Sequence, residues 1–334
     1  MGDFMIKKII KQFVPKSWII RYKMAKEHQR LKRDFRIDAK QYDSSFNYSP
    51  VGTSDEGVKE LLIFHSHSIE KGLSHPNFRG NFGKNALLGI KANLSEFKKR
   101  NLDKNLFEYQ NTISVLKFYK EKHNSKNIET PFFDSLFDLN EIDVAPSIAG
   151  AKVHTNKFSK NMNFVDLEYF RSTQREFSND AVDMDVFKKV TELAVKTPSV
   201  CNRQPWKTYV TNDSSKISKL LDLQGGYKGY GVPPTLSLVT VDRRAFIGSH
   251  ERNEPYVDGG LFLMNYDFAL TYYGLSSCIL NTMMEEPMKE EVRTILGVPA
   301  SEVLIAFVGA GYSKDKVEIA ASARKPIEDI LKMV

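Results

Sequence analysis

Apolar positions recur at helical spacing through the first half of the chain, and strand-like runs appear only in the second. Ala86, Leu87, Ile90, Leu94 and Phe97 share one helix face, and Ile113, Leu116, Phe118 and Tyr119 mark another, so two helices are predicted over 85–123. A third helix is predicted from Val58 to Leu73, with Gly72 as its stop. Nearer the start, residues 4–37 mix aromatic and aliphatic residues with lysines and arginines, and Pro15 divides them into two helices. Residues 40–57 are polar and read as a linker, and 74–83, with Pro76, Gly80 and Gly83, as a loop. From Pro131 to Asn163 no periodicity is visible, and an irregular path is expected.

Strand runs follow at Trp206–Val210, Leu236–Val241 and Val303–Val308, alternating with helices at Ile217–Leu223, Gly260–Tyr273 and Pro287–Leu296. The run from Leu261 to Tyr273 is apolar on nearly every side, as in a helix buried at a core or a subunit interface. The expected class is α+β, a mixed sheet flanked by helices, with a mainly helical extension over 1–160 preceding a domain over 161–334.

Charge refines this picture. The chain of 334 residues carries a net charge of +7, yet residues 1–40 alone hold 12 Lys and Arg against 4 Asp and Glu, a balance of +8. The rest is nearly neutral, which argues against nucleic-acid binding by the folded domain. The basic, aromatic start suits either packing on the remainder of the protein or a partner, or peripheral contact with an anionic membrane face. Two cysteines, Cys201 and Cys278, make no disulfide framework, and no run approaches about 20 apolar residues, so a cytoplasmic location is expected. Ile6 stands where myristoylation wants Ser or Thr.

Two polar clusters bracket a helical run of Val186, Phe187, Val190, Leu193 and Ala194, for which Asp183 is the candidate cap. The first, Arg171-Ser172-Thr173-Gln174-Arg175-Glu176-Phe177, offers guanidiniums and hydroxyls just ahead of a helix, a pattern suited to an anionic phosphate. The second, Thr197 to Trp206, is a polar turn with two prolines. His67 and Glu70 share a helix face near His65; a polar structural or substrate-facing cluster is favoured over a metal site, and no metal is expected. Gly225 to Gly231 lacks both nucleotide-loop spacings and reads as a flexible segment near the mouth of a site.

The pairing of Arg-x-Ser/Thr-x-Arg/Lys-x-Phe with Pro-Ser-x-x-Asn-x-Gln-Pro-Trp one helix later resembles the nitroreductase family of flavoproteins. Asp258-Gly259-Gly260, Gly274 to Asn281, and Gly309 to Tyr312 with Arg324-Lys325-Pro326 follow in the family's order. The resemblance covers the chain from about residue 165 onward. It implies an FMN cofactor, a homodimer with the flavin at the interface, and hydride transfer from NAD(P)H through flavin N5 to a small organic acceptor.

The resemblance also implies site residues. Arg171 and Arg324 fall at the phosphate-binding positions, Ser172 and Thr173 along the flavin chain, and Arg175 at the pyrimidine edge. Pro198, Ser199, Asn202 and Gln204 fall where a partner subunit covers the flavin, and Leu280 and Asn281 where the backbone passes N5. Two departures stand out: Asn281 replaces the usual glycine or glutamate, and Ser322 replaces a basic residue, with Lys325 as its candidate substitute. Asp258 is expected to serve an interface or a helix cap rather than as an acid. The extension is expected to shape the substrate range. The alternatives are a flavin-dependent dehydrogenase or oxidase of one metabolite, and a flavin-binding scaffold at a membrane-associated complex.

Overall fold

The computed structural model describes residues 14–159 and 161–334, so the start of the basic segment, 1–13, lies outside the described residues. Helix α1 (Lys16–Ser45) begins directly after Pro15. It buries none of its residues, and Trp18, Tyr22 and Met24 face solvent. Within this chain, then, its apolar positions are not packed away. Polar contacts tie the helix down instead: Arg252 forks onto Asp38 at 2.6 and 2.7 Å, and Ser249 Oγ donates to Asp34 at 2.8 Å.

Helix α2 (Asp55–Leu73) opens on Ser54, whose side chain accepts the Gly57 N–H, with Asp55 and Glu56 in its first turn. Gly72 does not end it; the helix runs to Leu73, and the Ser74 hydroxyl bonds the Glu70 carbonyl. Helices α3 (Lys84–Lys99) and α4 (Phe107–Asn124) pack on α2. Val58, Leu62 and Ile69 meet Leu87, Ile90, Leu116 and Tyr119 in one fully enclosed cluster. Each such aliphatic side chain contributes about 1.5–3 kcal/mol by leaving water.

The stretch after Pro131 is more ordered than its pattern suggests. It forms α5 (Pro131–Leu136), α6 (Leu139–Asp143), strand β1 (Ala151–Thr155) and α7 (Phe164–Phe170). The first two helices have 6 and 5 residues, too short to display a helical period. Strand β1 pairs with a segment far along the chain, β6 (Lys316–Ala320), with Ala151 opposite Ala320.

The second half contains α8 (Val186–Ala194), β2 (Trp206–Thr211), α9 (Ser214–Gln224) and β3 (Thr235–Asp242). These are followed by α10 (Glu254–Tyr272), β4 (Ser276–Asn281), α11 (Glu286–Leu296), β5 (Glu302–Gly311) and, after β6, the short α12 (Ile327–Ile330). The sheet runs β2-β3-β5-β4 with antiparallel neighbours, and an isolated parallel bridge joins Thr173 to Ser277 beside β4.

Alternation on β3 divides the interior. Val239 and Val241 face the cluster of α8 and α10, where Trp206 stacks on Phe262 at 5.0 Å. Leu236 and Leu238 face the cluster of α9 and α11. The fold is α+β. No helix among the described residues is long and apolar enough to cross a membrane.

Candidate functional site

The segment after α7 is extended and lies along β4. Gln174 N–H donates to the Ser277 carbonyl at 2.9 Å, and the buried Gln174 amide is held by Asn156 and Ser313. Arg171 and Ser172 therefore follow the C-terminal end of a short helix. The expectation that they precede a helix is wrong, and helix-terminus attraction is not what recommends them: the next helix begins only at Val186. Asp183 does not cap that helix either; its carboxylate accepts the Asp185 N–H at 3.0 Å.

What recommends them is a cavity of about 400 Å³. Arg171, Ser172, Thr173, Arg175 and Arg324 all line it, together with Lys152, Glu168 and His67. Four permanent cations thus face one carboxylate. Arg171 is mostly buried, its contact with Asp267 is long at 3.4 Å, and its Nε is buried without a partner. Burial pushes the Asp267 carboxyl up, against the pull of Ser277 and Arg171, so it is a weakened counter-ion. A buried guanidinium with an unpaired N–H is a costly arrangement unless an anion completes it. The lining suits a phosphate group.

Arg175 belongs to a second cluster at the same cavity. Its guanidinium sits 5.8 Å from the Tyr230 ring, and its carbonyl accepts the Tyr227 hydroxyl at 2.8 Å. Tyr230 in turn donates to the Lys71 carbonyl at 3.1 Å. The glycine-rich segment is thus anchored at the site by two tyrosines rather than left loose. Burial, and then the like charge of Arg175, lower the Lys71 ammonium below its ordinary range. Burial pushes the Cys278 thiol up, so this cysteine is a packing group.

At the far side of the cavity the chain leaves β6. Ser322 has a left-handed backbone (φ 49°), and its carbonyl accepts from Arg324. Lys325 does not substitute for a basic residue at 322, because its ammonium is spent on Glu60 at 2.7 Å and Glu108 at 3.0 Å.

Pro198, Ser199, Asn202 and Gln204 do not reach this cavity; they form a separate, tightly wound turn. Cys201, Asn202 and Gln204 all adopt positive φ (49°, 54° and 50°), a conformation that costs a non-glycine residue free energy. The turn is held by Ser199 Oγ accepting the Gln204 N–H at 2.9 Å and by an Arg203–Glu251 ion pair at 2.6 Å. Asp258 lies inside α10 rather than at its start, and its carboxylate accepts the Val200 N–H at 3.1 Å. It anchors the turn rather than capping a helix. Leu280 is buried on β4, while Asn281 ends the strand, its side chain accepting the Met283 N–H.

Lys152 and Glu168 carried no sequence signal toward the cavity: the β1–β6 pairing brings Lys152 there, and Glu168 stands on α7, just before Arg171. His67 and Glu70 were marked by their spacing but not by their place. Glu70 is buried, with one oxygen 3.1 Å from His67 Nδ1 and the other accepting the Gly150 and Ser322 N–H groups at 3.0 and 3.3 Å. His65 points elsewhere, its Nε2 buried without a partner against Gly89 of α3. Among the described residues no three metal-ligating side chains converge.

The nitroreductase family pattern matches residues 169–226, which hold both polar clusters. A 4-nitrobenzoate reductase of Nocardioides is 24% identical over 212 residues, covering 47% of this chain and 84% of its own. An iodotyrosine deiodinase of Nematostella vectensis is 22% identical over 232 residues, covering 61% and 82%. A solved FMN complex from Exiguobacterium sibiricum aligns with a TM-score of 0.46 at 16% identity, over 53% of this chain and 99% of its own. The motif pair and the relatives agree with this match: residues 169–226 carry the nitroreductase family pattern.

Proposed function

We propose that the chain is an FMN-dependent oxidoreductase that works as a homodimer. When bound, the flavin supplies hydride transfer from NAD(P)H to a small organic acceptor. The observation that carries this reading is the buried, unpaired Nε of Arg171 in a cavity lined by three further cations. Arg171 and Arg324 hold the phosphate, with Ser172 and Thr173 beside it. Arg175 supplies positive charge at the ring system's pyrimidine edge, where negative charge develops on reduction. Leu280 and Asn281 border the reactive face.

Pro198, Ser199, Asn202 and Gln204 contribute from the second subunit. Their distance from the cavity within one chain fits that role, and their strained backbone is the kind of cost that a binding site sustains. The chain's own part is binding, orientation and electrostatics, with no covalent nucleophile. Residues before 160 line the same cavity through His67 of α2 and Lys152 of β1 and so narrow the range of acceptors.

The test is anaerobic addition of NADH or NADPH to the flavin-loaded protein, followed at the flavin's visible absorption. Bleaching by either nucleotide supports the reading. A flavin that stays oxidised with both would overturn the nucleotide-driven cycle and favour a dehydrogenase acting on a dedicated metabolite.

A further inference from the structure

The cavity has one lining residue whose chemistry remains unassigned. His67 lies on the last turns of α2, within the helical segment that precedes the family-like half, and it is about half-exposed. Its Nδ1 is 3.1 Å from Glu70 Oε2, which leaves Nε2 as the ring nitrogen free for a ligand. An ionised carboxylate cannot donate, so Nδ1 carries the proton in this pair.

Glu70 is itself fixed. It is buried, and its other oxygen accepts the N–H groups of Gly150, just before β1, and Ser322, just after β6. One carboxylate therefore ties His67 to the backbone that presents Arg324. Lys325, the residue after Arg324, is engaged by Glu60 and Glu108 and does not line the cavity.

We propose that His67 is a further phosphate-binding residue of the cofactor site, donated by the N-terminal helical segment and oriented by Glu70. The proposal rests on the flavin reading above. Glu70 engages Nδ1 and fixes the ring, so that Nε2 is the nitrogen offered to the phosphate. The segment before residue 160 thereby completes the cofactor site as well as covering it.

The experiment titrates the apoprotein with FMN and, separately, with riboflavin, which lacks the phosphate, and reads flavin fluorescence quenching. Wild type, His67→Gln and His67→Ala are compared, and thermal melts of the apoproteins establish that both variants fold. Both substitutions are expected to weaken FMN binding about tenfold, while riboflavin affinity moves less than about twofold. FMN affinities within about twofold of wild type in both variants would overturn the assignment. So would equal losses for FMN and riboflavin, which would place His67 against the ring or in the fold. If wild type binds neither flavin, the cofactor reading falls and this assignment with it; if only the variant effect is missing, the cofactor reading stands alone.

Discussion

Arg171 is the residue on which the site's chemistry turns, because it is enclosed without being neutralised. Its partner Asp267 is 3.4 Å away, in surroundings where burial raises the carboxyl and so weakens its charge. Replacing Arg171 by Gln removes a charged donor worth about 1.5–3 kcal/mol to a bound phosphate, so FMN affinity should fall about 10- to 100-fold. Riboflavin binding to the same variant should change little, and an unaltered FMN affinity would remove Arg171 from the phosphate site. At this scale the sequence was informative where residues act through fixed spacing. Arg171, Thr173 and Arg175 could be singled out because they stand in one short motif, although the helix expected directly after them begins only at Val186. Lys152 could not, since only the pairing of β1 with a strand more than 150 residues later carries it to the cavity. Lys325 was misjudged for a related reason: its ion pairs are with α2 and α4, which no local pattern connects to the chain's end.

Among the elements, the helices of the first half are joined by charge at their ends as well as by their shared core. Glu141 of α6 takes Lys98 of α3 at 2.7 Å, Lys104 at 2.8 Å and the Tyr109 hydroxyl of α4. Burial works to raise this carboxyl, but the hydrogen bonds from Lys104, Lys98 and Tyr109 outweigh it and bring it down to about 2. A carboxylate depressed on folding contributes stability that is complete above its ordinary value of 4.5 and is lost as pH falls toward about 2. Glu141→Gln should therefore lower the melting temperature at pH 7. It should also shrink the further loss seen between pH 4.5 and 2, and an acid limb as steep as wild type would show that Glu141 does not carry it. Helices α3 and α4 were legible from apolar periodicity, α2 as a helix-like run, and α10 from its long, continuously apolar stretch. The short α5 and α6 were not, because one and a half turns cannot show a period. Strands β1 and β6 escaped because each is half exposed or brief and finds its partner only across the molecule.

The whole molecule is closed by the first half reaching into the last. Strand β1 completes the small sheet with β6, and Glu70 holds Ser322, so the residues before 160 are part of the structure around the cavity. Helix α1 stands apart: it buries none of its residues and is attached through one forked ion pair, Arg252 on Asp38, and the Ser249–Asp34 hydrogen bond. Removing residues 1–45 should leave flavin binding and the melting temperature nearly unchanged. Removing residues 1–160 should abolish flavin retention, and a shortened chain that keeps its flavin would show that the first half is dispensable to the site. The family-like half was readable from four ordered motifs; the dependence of that half on the first was not, because it is written in contacts across the fold. The central claim is that the Arg171 cavity exists to hold a flavin phosphate. The most direct measurement is the visible absorption spectrum of the purified protein, before and after incubation with FMN and removal of the excess. The account predicts a flavin spectrum with one FMN retained per chain, and a colourless protein that also refuses added FMN would contradict it.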